Sequence, residues 1–201
     1  MAEPVNFEDI LKTELRWPQQ GDQLVKASKD WAKNAVIATN SDTRAVMMTR
    51  GYKKGADLMV NSARNSNFDR DCLVYPIIFN YRHFLELSLK HLIATYGPTF
   101  GAEPNWNCHD LTTLWTQFEK ILVGYGTDES ETTDKIVKNI VAQFAKIDSR
   151  SDSYRYAVDT NGNPIPVAVS KLDLDILKDV MDGVAGFFDG CDGYFSKLMN
   201  V

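Results

Sequence analysis

The sequence predicts a mainly α-helical protein, a bundle of about five to six helices with one small β-hairpin near residues 154–169. Apolar residues recur at helical spacing along several long stretches, which is typical of amphipathic helices. Residues 154–169 break that period and alternate around Asn161-Gly162, a pair that tight hairpin turns favour. At 201 residues with 44% hydrophobic side chains, the chain can bury a packed core.

The first part of the chain is predicted to be separate from the bundle. The pattern of residues 1–43 predicts short helical segments that are interrupted at Pro18 and Gly21 and have only a modest apolar face. We therefore expect an N-terminal helical arm over residues 1–43 and a helical bundle over residues 44–201.

Two long helices are predicted next. Apolar residues at spacings of three and four predict the first helix over residues 44–64. The second covers about residues 68–96 and ends at Gly97-Pro98. Pro76 lies inside it, which predicts a kink or a true helix start near Tyr75. Beyond that point apolar residues cover almost the whole circumference, which is typical of a central helix.

Three further helices are expected. "DLTTLWTQFEKIL" has one apolar stripe, and Asp110 or Asn107 can cap it. A second helix follows an acidic first turn at residues 128–131 and ends near Ile147.

The last predicted helix covers about residues 172–199. Its predicted inner face consists of Leu177, Val180, Val184, Phe187, Phe188, Cys191, Phe195 and Leu198. It also contains Gly183, Gly186, Gly190 and Gly193, which weaken a helix and predict the close approach of another backbone.

Composition narrows the class of protein. A net charge of −5 gives no general attraction to nucleic acid or to anionic membranes. Three scattered cysteines suggest neither a disulfide framework nor a zinc site. The start of the chain lacks the pattern of a secretory signal, and no stretch has the length of a membrane span. We expect a soluble, cytoplasmic protein without a metal or other cofactor.

The stretch "NYRHFLELSLKHL" places charged groups in a predicted core helix. Arg82, Glu86 and Lys90 stand four residues apart, so Glu86 lies one turn from each cation on one helix face. Buried charges persist when they are paired and hydrogen-bonded. The sequence leaves two interpretations open: a structural network that fixes helix packing, or part of a ligand-binding cleft.

Two histidines are candidate acid–base groups. His109 precedes the helix that Asp110 is predicted to cap, and it either packs there or carries a proton near the Arg82–Lys90 face. His83 lies on the charged helix itself. A metal site formed by His83, Glu86 and His109 is not favoured because the HExxH arrangement is absent.

Arg155 and Tyr156, at the start of the predicted hairpin, are candidate ligand-binding residues, as is Asp110. In an extended strand Arg155 would point to the face opposite Tyr154 and Tyr156. It is expected either to tie the hairpin to the bundle through a carboxylate or to bind an anion, which suits a guanidinium group.

Three segments together resemble a known family. "FNYRHFLELSLKHL", "HDLTTLW" and "IDSRSDSYRYAVDTNG" are similar to motifs of bacterial HEPN-like helical proteins, the higher eukaryote and prokaryote nucleotide-binding superfamily. The resemblance covers about residues 70–198. It implies an α-helical bundle, often a homodimer, in proteins tied to RNA cleavage, nucleotide binding, toxin–antitoxin pairs or phage defence.

The ribonuclease motif of that family is an arginine followed, after four to six residues, by a histidine. Neither His83, His91 nor His109 has an arginine at that spacing upstream. Phosphate-binding loops and hydrolase elbows are also absent from the sequence.

The sequence therefore favours a noncatalytic HEPN-like module that binds a co-encoded protein or an anionic ligand such as a nucleotide or RNA. One alternative is a metal-independent ribonuclease, or another phosphodiester-cleaving enzyme, that uses His83 or His109. The other is a structural scaffold.

Overall fold

The structure is a computed structural model that describes residues 16–127 and 132–199. The described part of the chain is mainly helical, as predicted, and its α-helices are α1 (Ser41–Ala63), α2 (Asn67–Tyr96), α3 (Leu111–Gly124), α4 (Thr132–Ile147) and α5 (Leu174–Met199). Short 3-10 turns occupy Trp31–Lys33 and Gly97–Phe100. None of the described helices has both the length and the apolar character needed to cross a membrane.

Contacts divide the chain into two units, residues 1–37 and residues 38–201. In the first unit, residues 1–15 lie outside the described part, and residues 16–37 contain the 3-10 turn Trp31–Lys33, capped by the Asp30 side chain. In the second unit α1 begins at Ser41 because Asn40 caps it by accepting from the amides of Asp42 and Thr43. Residues 41–43, assigned to the arm from sequence, are thus helical and belong to the bundle.

Helix α2 is the centre of the bundle. It begins at Asn67, where the Ser66 side chain accepts from the Asp69 amide, and it continues through Pro76. A helix start near Tyr75 is therefore wrong. Helix α2 contacts α1, α3 and α5, which explains why apolar residues surround it. Its buried apolar side chains are Ile77, Ile78, Tyr81, Phe84, Leu85, Leu89, Leu92, Ile93 and Tyr96.

Helix α3 follows the predicted pattern, and α4 follows it in part: Val141 and Phe144 are buried, whereas Ile136, which its spacing places on the same inner face, is 55% exposed. Asp110 caps α3 by accepting from the Thr113 amide at 2.6 Å, and the predicted apolar stripe of α3 is buried. Helix α4 packs against α3 through its own apolar stripe. The acidic first turn predicted at residues 128–131 lies outside the described residues.

The inner face of α5 differs in part from the prediction. Val184, Phe188 and Phe195 are buried, and Met181, which the sequence pattern did not include, is fully buried. Val180 and Leu198 are 36% and 41% exposed, so their assignment to the core is wrong. The core-facing stripe is narrower than predicted, and these two residues lie at its edge.

The glycines of α5 do not mark a close helix contact. A Cβ atom built at Gly183, Gly186, Gly190 or Gly193 meets nothing within 4 Å, so the predicted backbone approach is wrong within the described chain. Packing instead requires Gly97, where a Cβ would collide with the Ala102 backbone, and Gly124, where it would collide with the Phe100 ring.

The predicted hairpin is only a turn. Val158 and Pro164 form an isolated antiparallel bridge, and no strand is present in the described residues. Asp159 stabilises the turn by accepting from the amides of Asn161 and Asn163. Strands do not extend from it because Pro164 and Pro166 lack amide donors.

Candidate functional site

Polar and aromatic residues of very different exposure meet at one side of helix α2, some of them from the helix itself and others from neighbouring segments. We call Arg82, Glu86, Lys90 and Asp148 the closed network, because every one of these residues is buried. We call Tyr52, Phe79, His83, Arg155 and Tyr156 the open surface, because all are at least partly exposed. The two groups are adjacent: Arg82 and His83 are consecutive in the sequence, and Glu86 lies one turn further along α2.

Arg82 lies at the centre of the closed network and has no exposed surface. Its Nη1 donates to Glu86 Oε2 at 3.1 Å, and its Nη2 donates to the main-chain oxygen of His109 at 2.7 Å. Its Nε donates to the main-chain oxygen of Asp148 at 2.8 Å. The guanidinium can remain buried because three acceptors from separate chain segments take hydrogen bonds from its N–H groups.

Glu86 joins three donors and is 2% exposed. Besides Arg82, Lys90 Nζ donates to Oε1 at 2.8 Å, and His109 Nδ1 lies 2.9 Å from the same oxygen. Burial alone raises the pKa of Glu86, but the hydrogen bonds from Lys90 and His109 outweigh it and hold the pKa below its usual value. Glu86 is therefore ionised at neutral pH, and as a carboxylate it can only accept.

The closed network attaches two irregular segments to α2. Lys90 Nζ also donates to the main-chain oxygen of Trp106 at 3.0 Å, so Arg82 and Lys90 together hold the loop that precedes α3. The bond from Arg82 to Asp148 holds the turn that follows α4. This geometry gives Arg82, Glu86 and Lys90 a role in holding the fold together, and their exposed fractions of 0%, 2% and 5% leave little surface for a ligand.

The turn after α4 is tightly packed and strained. The Asp148 side chain accepts from the amides of Asp152 and Ser153, and Ser151 adopts a φ of 60°, a region that non-glycine residues rarely occupy. Asp148 Oδ2 and the Tyr154 hydroxyl are buried without a hydrogen-bond partner among the described residues. Burial, followed by the charge of Asp148, raises the pKa of Tyr154.

Arg155 forms the edge of the open surface. Its guanidinium lies over the Phe79 ring at 5.3 Å and over the Tyr156 ring at 5.2 Å, and its Nε donates to the Ser151 main-chain oxygen. It forms no ion pair with any described carboxylate. The prediction that Arg155 and Tyr156 point to opposite faces is wrong, because the amides of both residues bond to Asp152 O in a turn rather than a strand.

His83 is half-buried beside Arg155. Its ring stacks on Phe79 with centroids 5.6 Å apart, and the Tyr52 ring meets it edge-on at 4.4 Å. Burial lowers the pKa of His83; Glu86 opposes this effect, and the cations Arg82, Lys90 and Arg155 add to it. His83 is consequently neutral at neutral pH.

His109 and Asp110 have separate roles. Asp110 is a helix cap, and its side chain accepts from the Thr113 amide of α3. His109 is 60% exposed, while its Nδ1 is held by the buried Glu86 carboxylate. Because that carboxylate only accepts, Nδ1 carries the hydrogen and the lone pair of neutral His109 is on Nε2.

Several residues of this region were not identified from sequence. Phe79 could have been found, because it precedes His83 by four positions and shares its helix face. Tyr52 could not have been found because it comes from another helix. Trp106 and Asp148 contribute main-chain oxygens, and no sequence signal exists for these because every residue type has one. Across residues 16–127 and 132–199, no group of three or more His, Cys, Asp or Glu side chains is arranged to hold a metal ion.

Comparison of the chain with protein-family models, with curated proteins and with solved structures gives no match. The fold and the site define the class of protein as a mainly helical bundle with a buried charged network beside an exposed aromatic and cationic surface. The resemblance to HEPN-like proteins depends on the three sequence segments alone and stays a prediction.

Proposed function

We propose that the chain is a noncatalytic helical module that binds an anionic ligand of nucleotide or RNA type at the open surface. The observation that carries the proposal is Arg155, a guanidinium without a carboxylate partner in the described chain, held between two aromatic rings. A stacked guanidinium keeps its outer N–H groups free, and these match the geometry of a phosphate group.

The aromatic residues support a ligand that also has a flat ring. Tyr156 is 57% exposed, and neutral His83 lies with Phe79 on the same surface. Bases stack on exposed aromatic side chains and on arginine planes in single-stranded nucleic-acid sites. With a net charge of −5, the protein has to bind an anion through such a local group of residues rather than through its overall field.

Binding of a short fluorescent oligouridine, and separately of ATP, tests the proposal. Arg155→Ala is expected to weaken binding about tenfold or more, because it removes charge-assisted hydrogen bonds and a stacking plane. Arg150→Ala is the matched control, since Arg150 lies in the same turn and its side chain is 82% exposed. Arg155→Lys retains the charge without the planar group and should give an intermediate loss.

Two outcomes would contradict the proposal. One is the absence of binding to either probe at low salt. The other is an equal loss of affinity in the Arg155→Ala and Arg150→Ala variants, which would show general charge attraction rather than a site.

Phosphodiester cleavage is a second candidate function, favoured by the contact between His109 and Glu86. A buried carboxylate that holds Nδ1–H leaves Nε2 as an exposed base, the arrangement that general acid–base catalysis uses. In this mechanism His109 Nε2 takes the proton of the attacking hydroxyl as its oxygen bonds to phosphorus. The bond from phosphorus to the leaving oxygen breaks, and that oxygen takes the proton back from His109, while Arg155 stabilises the charge on the phosphate.

Cleavage of a labelled RNA tests this candidate in the presence of a chelator. Activity is expected to be lost in a His83→Ala/His109→Ala double variant, and to decrease in Glu86→Gln, which disturbs the orientation of His109. RNA cleavage that survives in the double variant would remove the mechanism.

The remaining expectations from the sequence stay predictions. They are a homodimer, a co-encoded protein partner, a toxin–antitoxin or phage-defence setting, and a cytoplasmic location. The last is supported by the three cysteines, Cys72, Cys108 and Cys191, which form no disulfide with one another.

A further inference from the structure

A second group of cations surrounds a cavity away from the open surface. The cavity has a volume of about 680 Å³ and lies where the end of α1, the first turn of α2 and the start of α5 meet. Arg64, Arg70 and Lys171 line it, each from a different segment of the chain. Cavities of 300–1,000 Å³ are the usual size of small-molecule sites.

The floor of the cavity is apolar. Val60, Ala63 and Leu174 line it and are buried, and the half-buried Leu172 completes it. An apolar floor with a few charged groups at the rim is the usual construction of a site for a small organic ligand. A free inorganic ion would leave most of this volume unused.

The two carboxylates at the rim already have partners. Asp175 Oδ1 accepts from Arg64 Nε at 2.8 Å, and Asp173 Oδ1 accepts from the amides of Asp175 and Ile176 at the start of α5. Asp173 therefore offsets the positive end of the helix dipole, and Asp175 offsets Arg64.

The other two cations have no acidic partner. Arg70 donates only to the main-chain oxygen of Arg64, at 3.5 Å, and Lys171 forms neither an ion pair nor a hydrogen bond within residues 16–127 and 132–199. Two unpaired cations at one rim match a dianion, and a phosphate monoester carries a charge of about −1.5 to −2 at neutral pH.

We propose that this cavity binds a phosphate monoester of a small organic molecule, with the phosphate on Arg70 and Lys171 and the organic group on the apolar floor. The ligand class follows from the unpaired charges and from the volume. The site is independent of the one proposed around Arg155.

Phenyl phosphate is the probe, because it combines the dianion with a flat apolar group. Calorimetric titration and the chemical-shift changes of backbone amides are expected to report binding, with the shifts concentrated at residues 60–72 and 171–176. The Arg70→Ala/Lys171→Ala variant should lose affinity about tenfold or more, since both charge-assisted contacts are removed.

The matched control is Arg50→Ala/Lys54→Ala, which also removes one arginine and one lysine from exposed positions. It is expected to bind phenyl phosphate as the wild-type does. Inorganic phosphate should bind more weakly than phenyl phosphate, because it does not reach the apolar floor.

Three results would overturn the proposal: no binding of phenyl phosphate, equal losses in the two double variants, or amide shifts centred on other residues. Arg155→Ala separates the two proposed sites, because it should leave phenyl phosphate binding at this cavity unchanged. A loss in Arg155→Ala with none in Arg70→Ala/Lys171→Ala would assign the phosphate to the open surface instead.

Discussion

Arg82 and Arg155 lie at the same side of α2 in opposite environments. Arg82 has no exposed surface and donates to Glu86 and to two main-chain oxygens, whereas Arg155 is exposed and its guanidinium rests on two aromatic rings. A buried guanidinium needs a full set of acceptors, so it joins segments of the fold. An exposed one retains free donors, and these are what a ligand requires.

Glu86→Ala tests the closed network and has the largest expected effect. It leaves Arg82 and Lys90 buried without their shared carboxylate, so the free energy of unfolding should fall by about 3–5 kcal/mol. Urea unfolding followed by circular dichroism measures the change. Glu119→Ala, which breaks the exposed pair with Lys138, is the control and should cost less than about 1 kcal/mol. Similar losses in the two variants would mean that the network is not a closed structural unit.

Tyr154→Phe tests the buried turn beside Arg82. The hydroxyl has no hydrogen-bond partner among the described residues, so its removal should raise the free energy of unfolding by about 1 kcal/mol. The same urea experiment measures this gain. A clear loss of stability would show that the hydroxyl has a hydrogen-bond partner in solution.

Arg155→Ala should have a small effect on stability. Each exposed cation–π contact contributes about 0.5–1 kcal/mol, so losing both should cost about 1–2 kcal/mol, below the cost of Glu86→Ala, even where ligand binding decreases strongly. Thermal unfolding without ligand provides the measurement. If Arg155→Ala lowered the free energy of unfolding as much as Glu86→Ala does, Arg155 would be a structural residue like Arg82.

His83 should give the smallest effect, a pH dependence of stability. Its pKa in the folded state lies below 6.5 because the site is partly buried and close to three cations. The unfolded chain therefore binds the proton more readily, and stability should fall as the pH drops from about 6.5 towards the folded pKa.

The measurement is a set of urea unfolding curves from pH 5 to pH 8, together with an NMR titration of the His83 ring. His83→Phe preserves an aromatic ring on Phe79 and should remove part of the slope below pH 6.5. A ring that titrates at or above 6.5 would contradict the expected burial of His83.

The helices were largely predictable because each depends on local patterns. The apolar stripe of α3 and its Asp110 cap are visible in a few consecutive residues, and the spacing of Arg82, Glu86 and Lys90 correctly indicates one helix face. The extent of regular structure after Tyr154 was not predictable. An alternating pattern with a good turn also fits a single bridge when prolines remove the donors that strands need.

The partners of the charged residues could not be predicted either. Arg82 and Lys90 reach the main-chain oxygens of His109, Trp106 and Asp148, and every residue type offers the same oxygen. The prediction made from the glycines of α5 was wrong for a related reason. Small residues permit a close approach, but the sequence does not show whether a neighbouring backbone is present.

That use of main-chain oxygens has a consequence for how the protein can change during evolution. The loop before α3 is held by bonds from Lys90 to Trp106 O and from Arg82 to His109 O, and these two bonds do not depend on which side chains the loop carries. Trp106 is 63% exposed and can be exchanged without loss of its anchoring bond. Selection can therefore vary the outward side chain at position 106 while the bundle beneath stays the same.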